Sequence, residues 1–220
     1  MLNLTPSPQA RRLDSGARSY SLAAVRALRC VYVHVPKSGG TSVARALYGN
    51  EGGGHRSIRD YARELGSSLA QYATVATVRE PVDRCLSAYR YLRDGGMNDA
   101  DERFADAYVR PHETAEAFIW DGLRDPAART SLHFRPQWTF VCDLGRRLGV
   151  GSLLRFESLV EDYDAWRAAS GLGKPLPHLN ASHRGTCDVL SDEARRHVAG
   201  LYARDYAVLG YAQPTDSAAA

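Results

Sequence analysis

The string Pro36-Lys37-Ser38-Gly39-Gly40-Thr41-Ser42 gathers groups suited to a phosphate-like anion. Two adjacent glycines let a backbone approach an anion closely and turn its N–H groups inward. Lys37 adds a full positive charge, and Thr41 and Ser42 add hydroxyl donors. A helix beginning at this point contributes uncompensated amides and a partial positive charge. The string differs from the nucleoside-triphosphate loop G-x-x-x-x-G-K-[ST], because Lys37 precedes the glycines. No acidic residue is clearly placed to hold magnesium. The plainer alternative is a strand-to-helix turn in which the glycines and the lysine are incidental.

A second string, Arg79-Glu80-Pro81-Val82-Asp83-Arg84-Cys85-Leu86-Ser87-Ala88-Tyr89, places an arginine and a hydroxyl eight residues apart. Arg79 and Ser87 so spaced suit a second phosphate. The alternative for Arg79 is a helix cap or an ion pair with Glu80 or Asp83, and Arg84 suits a nearby carboxylate. Proton transfer near neutral pH needs a histidine, and the chain has seven. Three stand out. His55 follows the glycine-rich Glu51–Gly54 and precedes Arg79 by 24 residues. His34 ends an apolar run and is placed to orient the loop from below. His133 lies in His133-Phe134-Arg135-Pro136-Gln137 and ranks second to His55 as a base; an exposed loop histidine is the plain reading of His55. The cysteines at 30, 85, 142 and 187 are scattered without a C-x-x-C pair, so no zinc or redox site is expected and the thiols should be free.

The elements that would position these groups alternate. Cys30–Val35, Tyr72–Val78 and Ser152–Phe156 read as short buried strands, β-branched and aromatic. Thr41–Tyr48 reads as a helix, and Ser57–Leu65 as another, with Ser57 as N-cap and Asp60 three positions on. Pro81 opens a helix to about Arg93, ended by Gly95–Gly96. Helices are also expected over His112–Leu123, Pro136–Leu148, Ser158–Ala169 and Ser191–Val208. Residues 97–111 read as a polar surface excursion, and Gly171–Ser191 as a loop. The order implies an α/β, P-loop-like three-layer fold, a central parallel sheet flanked by helices. In such sheets ligands bind beyond the carboxyl ends of the strands, where Pro36–Ser42 and Arg79 both fall. One domain is expected over 22–212, with a mobile lead over 1–21 and a disordered tail over 213–220.

Composition is that of an ordinary globular chain: 220 residues, 44% hydrophobic and 24% charged, with formal net charge +3. That excess is too small for a broad nucleic-acid surface, so no nucleic-acid partner is expected. No segment approaches the ~18 consecutive apolar residues of a membrane span, nor does the lead resemble a signal peptide.

HVPKSGGTS resembles the 5′-phosphosulfate loop of sulfotransferases that use 3′-phosphoadenosine 5′-phosphosulfate (PAPS). It is most similar to the carbohydrate-type family that includes heparan-sulfate 2-O-sulfotransferase and small bacterial members. The stretch from Arg79 to Tyr89 resembles that family's 3′-phosphate segment, which maps the two phosphate ligands onto Arg79 and Ser87. Leu176-Pro177-His178-Leu179-Asn180-Ala181-Ser182 resembles a third family stretch, and Arg184 just after it suits the 3′-phosphate or a solvated loop equally. The string Tyr202–Tyr211 is similar to a family closing helix and reads as structural.

The resemblance implies PAPS as co-substrate, with no metal, bound by Pro36, Lys37, Ser38, Gly39, Gly40, Thr41, Ser42, Arg79, Ser87 and Arg184. Lys37 would act in catalysis, with His55 or His133 as base; a catalytic histidine of the family stands where His55 does, although the family's H-x-H reads His55-Arg56-Ser57 here. A saccharide or glycoconjugate hydroxyl is the implied acceptor, with the excursion over 94–130 as its wall. Trp120 and Trp138 suit either a sugar face or the core. Animal members sit in the Golgi behind a membrane anchor, so this chain implies a bacterial cytoplasmic protein or one whose anchor has been trimmed. Two other readings stand beside it: a P-loop kinase or NTPase, and a nucleotide-binding protein of the same fold without transfer activity. Oligomeric state is not legible.

Overall fold

The computed structural model describes residues 21–50, 54–177 and 189–214. The lead, the end of the tail and the loop carrying Arg184 lie outside these residues. In chain order the elements are α1 Leu22–Leu28, β1 Cys30–His34, α2 Gly40–Tyr48, α3 Ile58–Leu65, β2 Ala73–Val78, α4 Pro81–Arg93, α5 Asp99–Phe104, α6 Ala115–Trp120, α7 Pro126–Thr130, α8 Trp138–Val141, β3 Ser152–Arg155, α9 Leu159–Ser170, α10 Asp192–Leu201 and α11 Ala203–Leu209. The chain divides into two compact units. The first runs to Arg79 and resumes over Gln137–Asn180; the second takes Glu80–Pro136 and the C-terminal helices.

The first unit is built on a three-stranded parallel sheet in the order β1-β2-β3. Cys30 pairs with Ala73 at one end of β1 and His34 with Thr77 at the other, while Val75 to Val78 of β2 pair with Ser152 to Arg155 of β3. Every residue of β1 is buried. Its unbroken apolar run, without alternation, is what a strand covered on both faces requires. The α/β class with a parallel sheet and flanking helices is therefore the observed one. The capping box of α3 forms as the sequence implies: the Ser57 hydroxyl accepts from the Asp60 amide, and the Asp60 carboxylate accepts from the Ser57 amide at 2.8 Å. Helix α1, capped by Ser21, was not expected.

One expected helix of this unit is much shorter than expected. Of Pro136–Leu148 only α8 is helical, and the chain then reverses so that Cys142 bridges Leu148. Arg146 adopts φ +60°, and the Gly149 Cα approaches Ile58 and the Asp143 backbone so closely that a Cβ would stand 3.2 Å from each. A helix cannot carry these backbone conformations, and Gly145 and Gly149 favour none.

In the second unit Val82, Leu86, Tyr89 and Leu92 of α4 pack with Phe118, Phe134, Val198 and Tyr202. Residues 97–111 are largely exposed, as expected, but most of them are helical. They form α5 and a π-helical turn over Ala105–Val109, with Ala105 and Val109 fully buried. One polar residue of the stretch, Asp101, is buried, accepting from Tyr91 Oη (2.6 Å), the Met97 amide and Asn98 Nδ2. The expected single helix over Ser191–Val208 is two, broken at Tyr202, whose hydroxyl donates to the Phe134 carbonyl at 2.6 Å. Arg84, 1% exposed, donates to the carbonyls of His133 and Arg135. Three successive carbonyls of a non-helical segment thus take side-chain donors in place of a backbone ladder, which satisfies groups that would otherwise be costly to bury.

Candidate functional site

The first unit holds the Pro36–Ser42 loop, Arg79 and His55. The loop leaves β1 at His34 and enters α2 at Gly40. Lys37 has φ +67° and Gly39 φ +76°, with Ser38 between them. Alternation of left-handed and ordinary residues is the backbone form that converges N–H groups into an anion-binding concavity. The helix that follows has Gly39 as its N-cap and no side-chain cap, as is also true of α8, α9 and α11, whereas α1, α3, α4, α5, α6, α7 and α10 are each capped by a side chain. The first amides of α2 are therefore left for a ligand or water rather than for the protein's own oxygen. Lys37, Thr41 and Ser42 are half-buried at this mouth.

What holds the loop in this shape lies beneath it. Ser38 is fully buried, and its hydroxyl is 2.6 Å from the Val35 carbonyl, 3.0 Å from Thr77 Oγ1 and 3.1 Å from the Thr77 carbonyl. Thr77 Oγ1 in turn is 2.7 Å from Tyr32 Oη. The Ser38 side chain is thus a tie between the loop and β2, and only its backbone amide remains to meet an anion.

Both glycines are demanded by neighbouring side chains. An added Cβ at Gly40 would stand 2.1 Å from His34 Cδ2 and 2.5 Å from Tyr32 Oη. One at Gly39 would stand 2.8 Å from the Phe156 ring. Gly40→Ala is expected to displace the loop from His34 and to weaken binding of a phosphate-like anion, probed with inorganic pyrophosphate, by about tenfold or more, since a ~1 Å misplacement in a positioned site costs on the order of 10²-fold. Isothermal titration calorimetry checks this; unchanged affinity would show that the loop tolerates the shift.

His34 carries the loop on its ring. Burial, with the neighbouring His55 as a lesser cause, pushes its pKa down to about 3, so it stays neutral. Its ring stacks on Tyr32 and stands 4.6 Å from that of His55. His55 Nδ1 is 2.9 Å from the His34 carbonyl oxygen. A carbonyl only accepts, so Nδ1 carries the hydrogen and the neutral ring keeps its lone pair on Nε2. That is the tautomer a general base needs, set by a backbone group at the end of β1.

Arg79 leaves the end of β2 with its backbone clamped by Gln137. The Arg79 amide donates to Gln137 Oε1 at 3.0 Å, and Gln137 Nε2 donates to the Arg79 carbonyl at 2.7 Å. Gln137 is fully buried. The guanidinium lies 4.1 Å from the Phe156 ring centroid, and its Nη1 is 3.5 Å from the Lys37 carbonyl oxygen. The sequence reading overlooked Gln137 and Phe156 as site residues. Position at the end of the third strand was the one signal for Phe156; nothing in the sequence marks Gln137.

Of the other expected residues, Ser87 and His133 belong to the second unit. Ser87 is half-buried on α4 in the second unit. His133 is in that unit too, with Nε2 3.1 Å from Asp101 Oδ1 and its ring against Tyr91. Hydrogen bonds from Tyr91 and Met97 and the nearby His133, outweighing burial, hold the Asp101 carboxyl below its usual range. Trp120 stacks on His197, and the Trp138 ring faces Arg59 and Arg146. Arg184 lies outside the described residues. Among the described residues no group of three or more His, Cys, Asp or Glu could hold a metal ion, and no helix is long and apolar enough to cross a membrane.

No curated protein and no solved structure matches the chain. A family model described as "Sulfotransferase family" matches residues 26–212. With that match running from before β1 to beyond α11, the chain belongs to the sulfotransferase family.

Proposed function

We propose that the chain transfers the sulfuryl group of PAPS to a hydroxyl of a saccharide or glycoconjugate. The observation that carries this reading is the meeting of Arg79 with the Lys37 loop at the carboxyl ends of β1 and β2. Two cationic groups so placed suit a nucleotide charged at both its 5′ and 3′ positions better than one charged at a single end. The loop amides and Lys37 take the 5′-phosphosulfate and Arg79 takes the 3′-phosphate. Ser87 and Arg184 enter on the family resemblance alone.

In the reaction the acceptor oxygen attacks sulfur in line with the bridging oxygen. The new S–O bond forms as the bridging S–O bond breaks, and the electron pair stays with the departing adenosine 3′,5′-bisphosphate. Lys37 offsets the charge that develops there. The acceptor proton goes to His55 Nε2, and the His34 carbonyl steadies the resulting imidazolium through Nδ1. His133 suits this step less well, because Asp101 engages its Nε2.

The test is single-turnover transfer from ³⁵S-labelled PAPS to a panel of neutral and acidic oligosaccharides. Label should appear in a saccharide in stoichiometric yield. Tight binding of adenosine 3′,5′-bisphosphate with no transfer to any acceptor would point to a nucleotide-binding protein that does not catalyse.

A further inference from the structure

We infer that Phe156 is a positioning residue of the nucleotide site, holding the guanidinium plane of Arg79 toward the Lys37 loop; this rests on Arg79 as a phosphate ligand of PAPS. Phe156 follows β3 directly and is 37% exposed, unusual for a phenylalanine whose ring is engaged with two neighbours. On one side the Arg79 guanidinium carbon is 4.1 Å from its ring centroid. The ring edge also touches Gly39 so closely that a Cβ there would fall 2.8 Å from Cδ2. One side chain therefore abuts both parts of the proposed site.

The chemistry is specific to an aromatic ring. A guanidinium near a π face is held by the ring quadrupole, and its N–H edges are left to bond outward. Gln137 fixes the Arg79 backbone and the Lys37 carbonyl meets Nη1. Those contacts act at the two ends of a long side chain, and the ring acts on the guanidinium plane itself. Phe156 restricts that plane, so Arg79 loses less conformational entropy when an anion arrives. An aliphatic residue of similar size would fill the space beside Gly39 without providing the ring face.

Affinity for adenosine 3′,5′-bisphosphate, measured by calorimetry with steady-state kinetics, tests the assignment. Phe156→Leu should raise its Kd by about threefold to fivefold, the range of a partly exposed cation–π contact. It should raise KM for PAPS similarly while kcat stays within about threefold, since Arg79 binds away from sulfur. Phe156→Tyr should restore affinity to within about twofold. In an Arg79→Lys background, which keeps charge but loses the planar fork, Phe156→Leu should have little further effect. Phe156→Met supplies the same comparison if the leucine variant is poorly folded by thermal melting.

An unchanged Kd in a folded Phe156→Leu or Phe156→Met protein overturns the inference. So does an equal loss in the Arg79→Lys background, which would mean that Phe156 acts through Gly39. Failure of the unsubstituted protein to bind adenosine 3′,5′-bisphosphate instead overturns the donor reading, and this inference with it.

Discussion

Lys37→Ala lowers kcat for sulfuryl transfer by about 10²–10³, the effect of deleting one charge-stabilising donor from a transition state. Lys37 stands between a β-strand end and an uncapped helix start, where backbone amides and the Arg79 guanidinium add further positive potential. A full charge there is worth most when charge builds on the bridging oxygen. Uniform binding of the nucleotide benefits less, so Kd for adenosine 3′,5′-bisphosphate should rise by a smaller factor than kcat falls. Backbone strain does not confuse the result, because alanine at φ +67° suffers the same left-handed conformation that lysine does. Rapid-quench turnover and calorimetry on the same preparation check both numbers. A kcat within about threefold of the parent protein would remove Lys37 from the chemistry.

His55→Ala and His55→Asn should each lower transfer by about 10²–10⁴. Asparagine is the sharper probe. It tolerates the positive φ of this position, +33°, and its amide can donate to the His34 carbonyl as Nδ1 does. It lacks a basic lone pair. If the role of His55 is to hold the end of β1, His55→Asn keeps most of the activity and alanine does not. If His55 is the base, both variants fail alike. A base must be unprotonated to act, so the parent rate falls on the acidic side of its pH profile, and that limb should flatten in either variant. Retention of the limb in His55→Asn would assign the proton transfer elsewhere.

Much of this site was legible before the fold was known. Lys37 ahead of two glycines, after a buried strand, is a local pattern, and local backbone preference decides its conformation. The same holds for the Ser57–Asp60 capping box and for Pro81 at the start of α4, since caps and prolines act on neighbouring residues. The errors have a shared origin. Residues 97–111 lie largely at the surface, as their charge suggested, yet Asp101 among them is buried, and one of its donors, Tyr91 Oη, comes from α4 outside the stretch. The stretch 136–148 looked helical by composition, but a return of the chain against Ile58 governs it.

The sequence by itself determined that a short buried strand, a lysine and two glycines come together, because each preference acts within a few residues. It also identified Arg79 and His55 as residues of interest. Tertiary structure decided what those residues do to one another. The parallel pairing of β1 with β2 brings Arg79 to the Lys37 carbonyl, and the chain after α2 returns His55 to the carbonyl of His34. The third strand delivers Phe156 to both Arg79 and Gly39. Those glycines looked like room for an anion. Their neighbours show a second demand, the close packing of His34 against Gly40 and of Phe156 against Gly39, and the second of these, between residues more than a hundred positions apart, leaves no local trace in a sequence.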